Sequence, residues 1–229
     1  MPQLIRGAVL NNYVEVARSV GIDPYRLVAA CNLPATCLTD AEAKVPAIAV
    51  ARLLEASAGQ AGRPDFGLLL AERRTLSNLG ALALLVREQP TIRKALETLV
   101  GYIFLHSEAL HLRMEEQDGL AILDFSIDVG RPIPLRQSID LGLGFLHRSL
   151  RQLFRESWKP QMVCFTHAPP VRRDAHRRFS APTSSSIRNS TASSAWRATS
   201  TRPCRPRMPR WRGMCSNIST RWRRAATPP

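Results

Sequence analysis

Residues 180–229 contain no Leu, Val, Phe or Tyr, so any core this chain builds has to come from residues 1–179. The final stretch carries ten Ser, ten Arg and six Pro instead, together with Trp196, Trp211 and Trp222. Such a composition buries too little apolar surface to offset the entropy of ordering the backbone. The expectation is a disordered tail behind one folded domain.

The tail also explains the charge. The formal net charge of +14 suggests a nucleic-acid binder. Removing the tail's ten Arg, which no Asp or Glu balances, from 32 basic and 18 acidic residues leaves 22 and 18, a net of +4 for residues 1–179. The body is therefore close to ordinary, and nucleic-acid affinity, if any, belongs to the tail.

Two explanations of the tail stand side by side. One is an Arg-rich arm for nucleic acid. The other is a shifted reading frame in GC-rich DNA, where off-frame codons become Arg, Pro, Ser, Ala and Trp. With synonymous codons chosen freely, Met214 to Arg224 back-translates one base out of frame to Tyr-Val-Gln-Gln-Tyr-Leu-Asp-Ala-Leu-Ala-Ala, an amphipathic helix. The same shift turns Ala181 to Trp196 into protein-like sequence. A frame break near Phe179 is the stronger explanation.

In the body, helices come first. Asn11 or Asn12 caps a helix through Ser19, and Gly21 suits its stop. Asp23-Pro24 restarts a second helix, which Pro34 ends. Pro46 opens a third, with Val50, Leu53, Leu54 and Ala58 on one face. Further helices are expected over Asp65 to Arg74, over Ser77 to Glu88, and from Pro90 with Ile92, Leu96, Leu99, Val100 and Ile103 on one stripe. The period then falls to two: Leu110, Leu112 and Met114 alternate with polar residues, Gln117-Asp118-Gly119 signals a turn, and Ala121, Leu123, Phe125 and Ile127 return. A long helix follows Pro134, apolar at Leu135, Ile139, Leu143, Leu146, Leu150, Leu153 and Phe154, with Arg136, Arg148, Arg151 and Arg155 on a face expected to be solvated. A short strand near 161–166 and a short helix from Arg172 to Phe179 complete it. The fold class is α+β: a mostly helical domain with a small antiparallel sheet, built from a hairpin near 109–127 and the strand near 161–166.

Chemistry leaves few marks. Cys31, Cys37, Cys164, Cys204 and Cys215 show no CxxC spacing, so no metal site and no cofactor is expected. Met1 to Val9 does not read as a leader, and no run approaches the roughly 20 apolar residues of a membrane span. A cytoplasmic protein without membrane contact is expected. There is no GxSxG, HExxH or phosphate-cradling loop, Gly142-Leu143-Gly144 falls inside a helix, and Asp124 and Asp128 sit on a strand and a loop, so no catalytic residues are expected and the chain does not read as an enzyme.

Sharper readings compete with plainer ones. Val14 to Leu33 has the outline of a DNA-reading helix-turn-helix, but its second helix offers only Arg26, and a packed helical hairpin explains it better. Arg73, Arg74, Arg87 and Arg93, with Glu72 and Glu88, could line a pocket for an anionic effector, since Arg grips carboxylates with two parallel bonds. A solvated helix face laced with ion pairs is the simpler account. His106, beside Tyr102, could touch a ligand or could be a satisfied histidine at a helix end.

The stretches RGAVLNNYVEVARSVGIDPYRL, VPAIAVARLLEAS, DFGLLLAERRTLSNLGALALLVREQPTIRKALETL and VCFTHAPP followed by HRRF, in that order, resemble the N-terminal domain of AraC/XylS-type transcription regulators, in the arabinose-binding-like subgroup. The resemblance covers residues 6–179. It implies a bacterial domain that senses a small-molecule effector and forms a homodimer, with the Leu135–Phe154 helix as the candidate dimer face. It also implies that DNA is contacted only through a C-terminal helix-turn-helix domain, and no such pattern is found in this sequence. No ligand-binding or DNA-binding residue is assigned by it, nor the effector's identity. The rival reading is a standalone basic nucleic-acid-binding protein that uses the Arg-rich tail.

Overall fold

Punctuation residues set most of the helix boundaries. In the computed structural model, which describes residues 2–117, 120–154, 160–165, 167, 184–186 and 194–198, α1 (Tyr13–Ser19) begins after Asn12, whose φ of 64° Asn tolerates better than most residues. Asp23 caps α2 (Pro24–Ala30) by accepting from the amides of Tyr25 at 3.0 Å and Arg26 at 3.2 Å. α3 (Ala47–Ala61) starts behind Pro46 and stops at Gly62, φ 60°. α4 (Phe66–Glu72) follows.

The single helix expected over Ser77 to Glu88 is divided. A 3-10 turn (Leu76–Leu79) and α5 (Ala81–Arg87) meet at Gly80, with φ 61° and ψ −130°, a conformation open essentially to glycine alone. α6 (Ile92–Tyr102) buries Ala95, Leu96 and Leu99, and a further 3-10 turn (Ile103–Leu105) leads to the hairpin of β3 (Leu110–Gln117) and β4 (Leu120–Ile127). Its register pairs Leu112 with Phe125 and Met114 with Leu123, the alternation expected. The turn residues 118–119 lie outside the described residues.

Two strands escaped the sequence reading: β1 (Leu4–Arg6) and β2 (Lys44–Pro46), antiparallel with Ile5 opposite Val45. Three residues are too few to show an alternation. β1 also ties the first residues to the middle of the chain, because the amide of Arg6 donates to the His106 carbonyl at 3.1 Å and that of Glu108 to the Leu4 carbonyl at 3.0 Å.

β5 (Pro160–Phe165) matches the strand expected near 161–166. The segment 180–229, expected to lack structure, contributes backbone to the sheet at β6 (Ser184–Ser186) and β7 (Ser194–Ala198), giving the order β3-β4-β7-β5-β6. β7 runs antiparallel to β4 and β5, and β6 runs parallel to β5. Backbone pairing along an open edge needs no apolar side chain. The rest of that segment, and the helix expected over 172–179, lie outside the described residues.

The described residues form two apolar cores that share one helix. The first gathers α1 to α4 around Tyr13, Leu53, Leu54 and Phe66, and the second gathers α5, α6 and the hairpin around Leu79, Leu96, Leu99 and Leu123. The shared element is α7 (Arg136–Phe154), which gives Leu141 to the first core and Ile139, Leu143, Leu146 and Leu150 to the second. Between Arg136 and Leu153 only Gln152 is exposed, and its Oε1 accepts from the Leu76 amide at 3.0 Å.

This placement corrects the expectation of a solvated Arg face on α7. Arg148 donates from Nε to the Arg74 carbonyl at 2.9 Å, and Arg136 turns Nε and Nη2 inward. Among the described residues, α7 is thus buried or half-buried along most of its length. The exposed large apolar side chains among the described residues are elsewhere: Tyr25 on α2, Leu84 and Leu85 on α5, and Tyr102, Phe104 and Leu105 at the end of α6 and the turn after it.

Candidate functional site

Where β1, α3, α6, the hairpin and α7 converge, the two cores do not close on each other. They leave a cavity with about 810 Å³ of empty volume, part of it open to solvent. Its walls are apolar: Ile5 and Val9 from the N-terminal segment, Val50 and Leu54 from α3, Leu112 and Phe125 from the hairpin. Gly142 forms part of the α7 wall, because a Cβ there would lie 2.1 Å from Cζ of Phe125.

Four polar residues interrupt the walls: Ser138 is half-buried, and Arg74, His106 and Ser107 are buried. Arg74, two residues past α4, is 3% exposed, His106 7% and Ser107 1%. Arg74 donates from Nη2 to the Ala8 carbonyl, and its guanidinium carbon lies 6.0 Å from the Phe145 ring centroid. Its Nε has no partner, and the same holds for Nδ1 of His106 and Oγ of Ser107. Burial alone lowers the Arg74 pKa to about 10, so the group stays cationic at neutral pH. Burial first, then the charges of Arg74, Arg6 and Lys44, lower His106 to about 3, so its imidazole is neutral.

The sequence reading weighed Arg73, Arg74, Arg87 and Arg93 as a group. The structure separates them. Arg73 and Arg87 are exposed, as is Glu88, and Arg93 pairs with Glu116 of β3 through Nη2 at 3.0 Å. The solvated-face account holds for those three arginines and fails for Arg74, which the break after α4 turns into the interior. His106 sits at a helix end as expected, capping the Ile103–Leu105 turn, but it lines the cavity with Nδ1 unpartnered. Ser107 went unnoticed in the sequence; the sole signal was its place at the change from helical to alternating period.

The other candidates do not form sites. Asp124 stands on β4 opposite Arg113, whereas Asp128 accepts the Gly130 amide at 2.8 Å within a turn. α1 and α2 pack as a hairpin that buries Val16, Ala17, Pro24 and Val28, with Arg18 stacked 5.9 Å over the Tyr25 ring. Burial raises the thiol pKa of both Cys31 and Cys37. Among the described residues, no group of three or more His, Cys, Asp or Glu could hold a metal ion.

The junction of the two cores thus holds an apolar, partly enclosed cavity with a few convergent polar groups. Residues 21–186 match the sequence profile described as the arabinose-binding domain of AraC transcription regulators, N-terminal. The chain is 31% identical over 168 residues to the HTH-type transcriptional regulator VirS of Mycobacterium tuberculosis, in each of two strains, covering 72% of this chain and 49% of the relative. It also resembles the crystal structure of the transcriptional regulator CdpR from Pseudomonas aeruginosa, at a TM-score of 0.48 and 15% identity, covering 76% of this chain and 52% of that one. The chain belongs to the AraC family of transcription regulators, through the N-terminal arabinose-binding-type domain, and the family is one of regulators and not of enzymes. It spans about half the length of the curated relatives it matches. No helix among the described residues is long and apolar enough to cross a membrane.

Proposed function

We propose that this chain is the effector-sensing part of an AraC-type regulator, and that a small molecule binds in the cavity between the α1–α4 core and the hairpin. The observation that carries the reading is the wall itself: apolar on nearly every side, with Arg74, His106 and Ser107 buried and each holding a polar atom without a partner. A ligand with a polar head group supplies the partners that these buried atoms need.

The mechanism is a population shift. α7 belongs to both cores, so a ligand that favours one spacing of the cores alters the surface the domain presents to an attached DNA-binding region. A ligand moves that equilibrium only by its difference in affinity for the two arrangements. Contact with DNA then belongs to the half of the regulator that the matched relatives carry beyond the aligned region. The family plan also favours a homodimer in the cytoplasm.

A chimera tests the reading. The chain is joined to the DNA-binding half of a full-length relative and placed over that relative's promoter and a reporter. Compounds that raise the chain's melting temperature are then added, and reporter output is expected to change with them. A chimera indifferent to every compound that stabilises the chain would sink the proposal.

A further inference from the structure

We infer that the effector is an apolar monocarboxylate, a hydrocarbon or aromatic body bearing one anionic head, with its carboxylate received by Arg74 and Ser107. The inference rests on the cavity being the effector site. Of the twenty-three residues that line it, Arg74, His106, Ser107 and Ser138 are the only polar ones, and none is Asp or Glu. One buried cation therefore stands in an apolar wall with no acidic partner.

A guanidinium has five N–H donors and satisfies a carboxylate with two parallel bonds. Removing a charge from water without a counterion is expensive, and an anionic ligand relieves that cost where a neutral one cannot. Nε of Arg74 and Oγ of Ser107 are both free to donate, and the neutral imidazole of His106 supplies a further donor or acceptor at Nδ1.

Other ligand classes fit less well. A sugar or polyol brings several hydroxyls, each needing a partner once buried, and these walls offer four polar side chains against nineteen apolar residues. The arabinose in the family's description is thus a poor match for this cavity. A cationic ligand would meet Arg74 with no carboxylate to balance it. A dianion such as a phosphate ester would leave a net negative charge among Leu and Ile side chains.

The test compares decanoate, decanol and decyltrimethylammonium, each below its micellar concentration, with L-arabinose as the polyol. Binding to the full chain is measured by calorimetry and by melting temperature. Decanoate is expected to bind at least about tenfold more tightly than decanol, the order that a charge-assisted hydrogen bond supplies. The ammonium and arabinose are expected not to shift the melting temperature. Arg74→Gln should bring decanoate and decanol within about twofold of each other, and Arg74→Lys should restore part of the preference. If Arg74→Gln does not fold, Ser107→Ala should narrow the same ratio.

Decanol binding as tightly as decanoate overturns the carboxylate assignment and leaves the cavity as an effector site. Arabinose binding in place of decanoate overturns it in favour of a polyol. If no probe binds or shifts the melting temperature, the effector-cavity reading fails with it.

Discussion

Gly142 of α7 lies so close to Phe125 of β4 that a Cβ on it would fall 2.1 Å from Cζ and 2.8 Å from Cε1 of the ring. Both residues line the cavity. Gly142→Ala therefore has to push the ring away from α7. Overpacking of this kind costs about 1–3 kcal/mol, against roughly 0.5–1 kcal/mol gained by replacing a mid-helix glycine with alanine. The expected result is a net loss of stability in urea unfolding, together with weaker binding of any cavity ligand. A variant as stable as the parent would show that the ring has room to move.

Gly67 of α4 makes a tighter approach, and to backbone. A Cβ there would lie 2.2 Å from the carbonyl oxygen of Gln137 and 3.1 Å from the amide nitrogen of Leu141, so α4 and α7 would have to separate. Separation also breaks the bond from the Gly67 amide to Oε1 of Gln137 at 2.8 Å and the bond from Nε2 of Gln137 to the Pro64 carbonyl at 3.1 Å. Gly67→Ala is expected to cost about 3 kcal/mol or more, a large share of a domain's marginal stability. Circular dichroism melting is expected to show a Tm many degrees lower, or no cooperative transition.

How much of this was open to sequence reasoning depends on which signal each element carries. The helix starts at Asp23 and Pro46, and the alternation that makes the hairpin, are local properties and were read directly. The enclosure of α7 was not, because Arg136, Arg148 and Arg151 read as a solvated face whichever neighbours cover them. Arg74 differs from Arg73 only in direction after the α4 stop, and nothing local fixes that direction. Ser107 faces the cavity because β1 lies beside residues 106–108, a contact across about a hundred positions of sequence. The cavity is a product of such long-range placements, and single-sequence periodicity does not register them.

His106 makes the fold sensitive to acid. Its pKa in the folded state, about 3, lies below the ordinary imidazole value of 6.5, because burial and the charges of Arg74, Arg6 and Lys44 disfavour the cation. The unfolded chain takes up the proton first as pH falls. The contribution to stability is thus fully present above about pH 6.5 and declines steadily down to about pH 3. His147, lowered to about 4 chiefly by burial, acts in the same direction. Urea midpoints measured from pH 7 to 4 should fall, and His106→Gln should flatten part of that slope. An unchanged slope in the variant would show that His106 is hydrated in the folded state.

Tyr13 and Ser57 form a buried pair, with their hydroxyl oxygens 3.0 Å apart, and Ser57 also donates to the Leu53 carbonyl at 2.7 Å. Tyr13→Phe removes one partner and should cost about 0.5–1.5 kcal/mol; Ser57→Ala strands a buried phenol and should cost about 1–3 kcal/mol. The double variant should cost less than the sum of the singles. The phenol's pKa is raised to about 12, mainly by burial, so the folded state holds its proton longer than the unfolded chain does. Its contribution is complete below pH 10 and is lost between about pH 10 and 12. Tyr13→Phe should remove that alkaline decline, as seen in urea midpoints across this range.

The Arg-rich segment is best tested at the level of the gene. The family match extends to residue 186, past the Phe179 region where the composition changes, so the shift from core-forming to Arg, Ser and Pro-rich sequence falls inside the matched stretch. A base inserted or lost between the codons for His176 and Pro182 is expected, with the restored frame continuing as amphipathic sequence of the family's pattern. If the codons instead stand as written, the ten unbalanced Arg of residues 180–229 become the chain's main route to nucleic acid. Binding would then weaken steeply with added salt, as phosphate contacts do when counterions are released. It would vanish on deletion of residues 180–229, whereas the effector-sensing reading requires no DNA affinity in the chain with or without them.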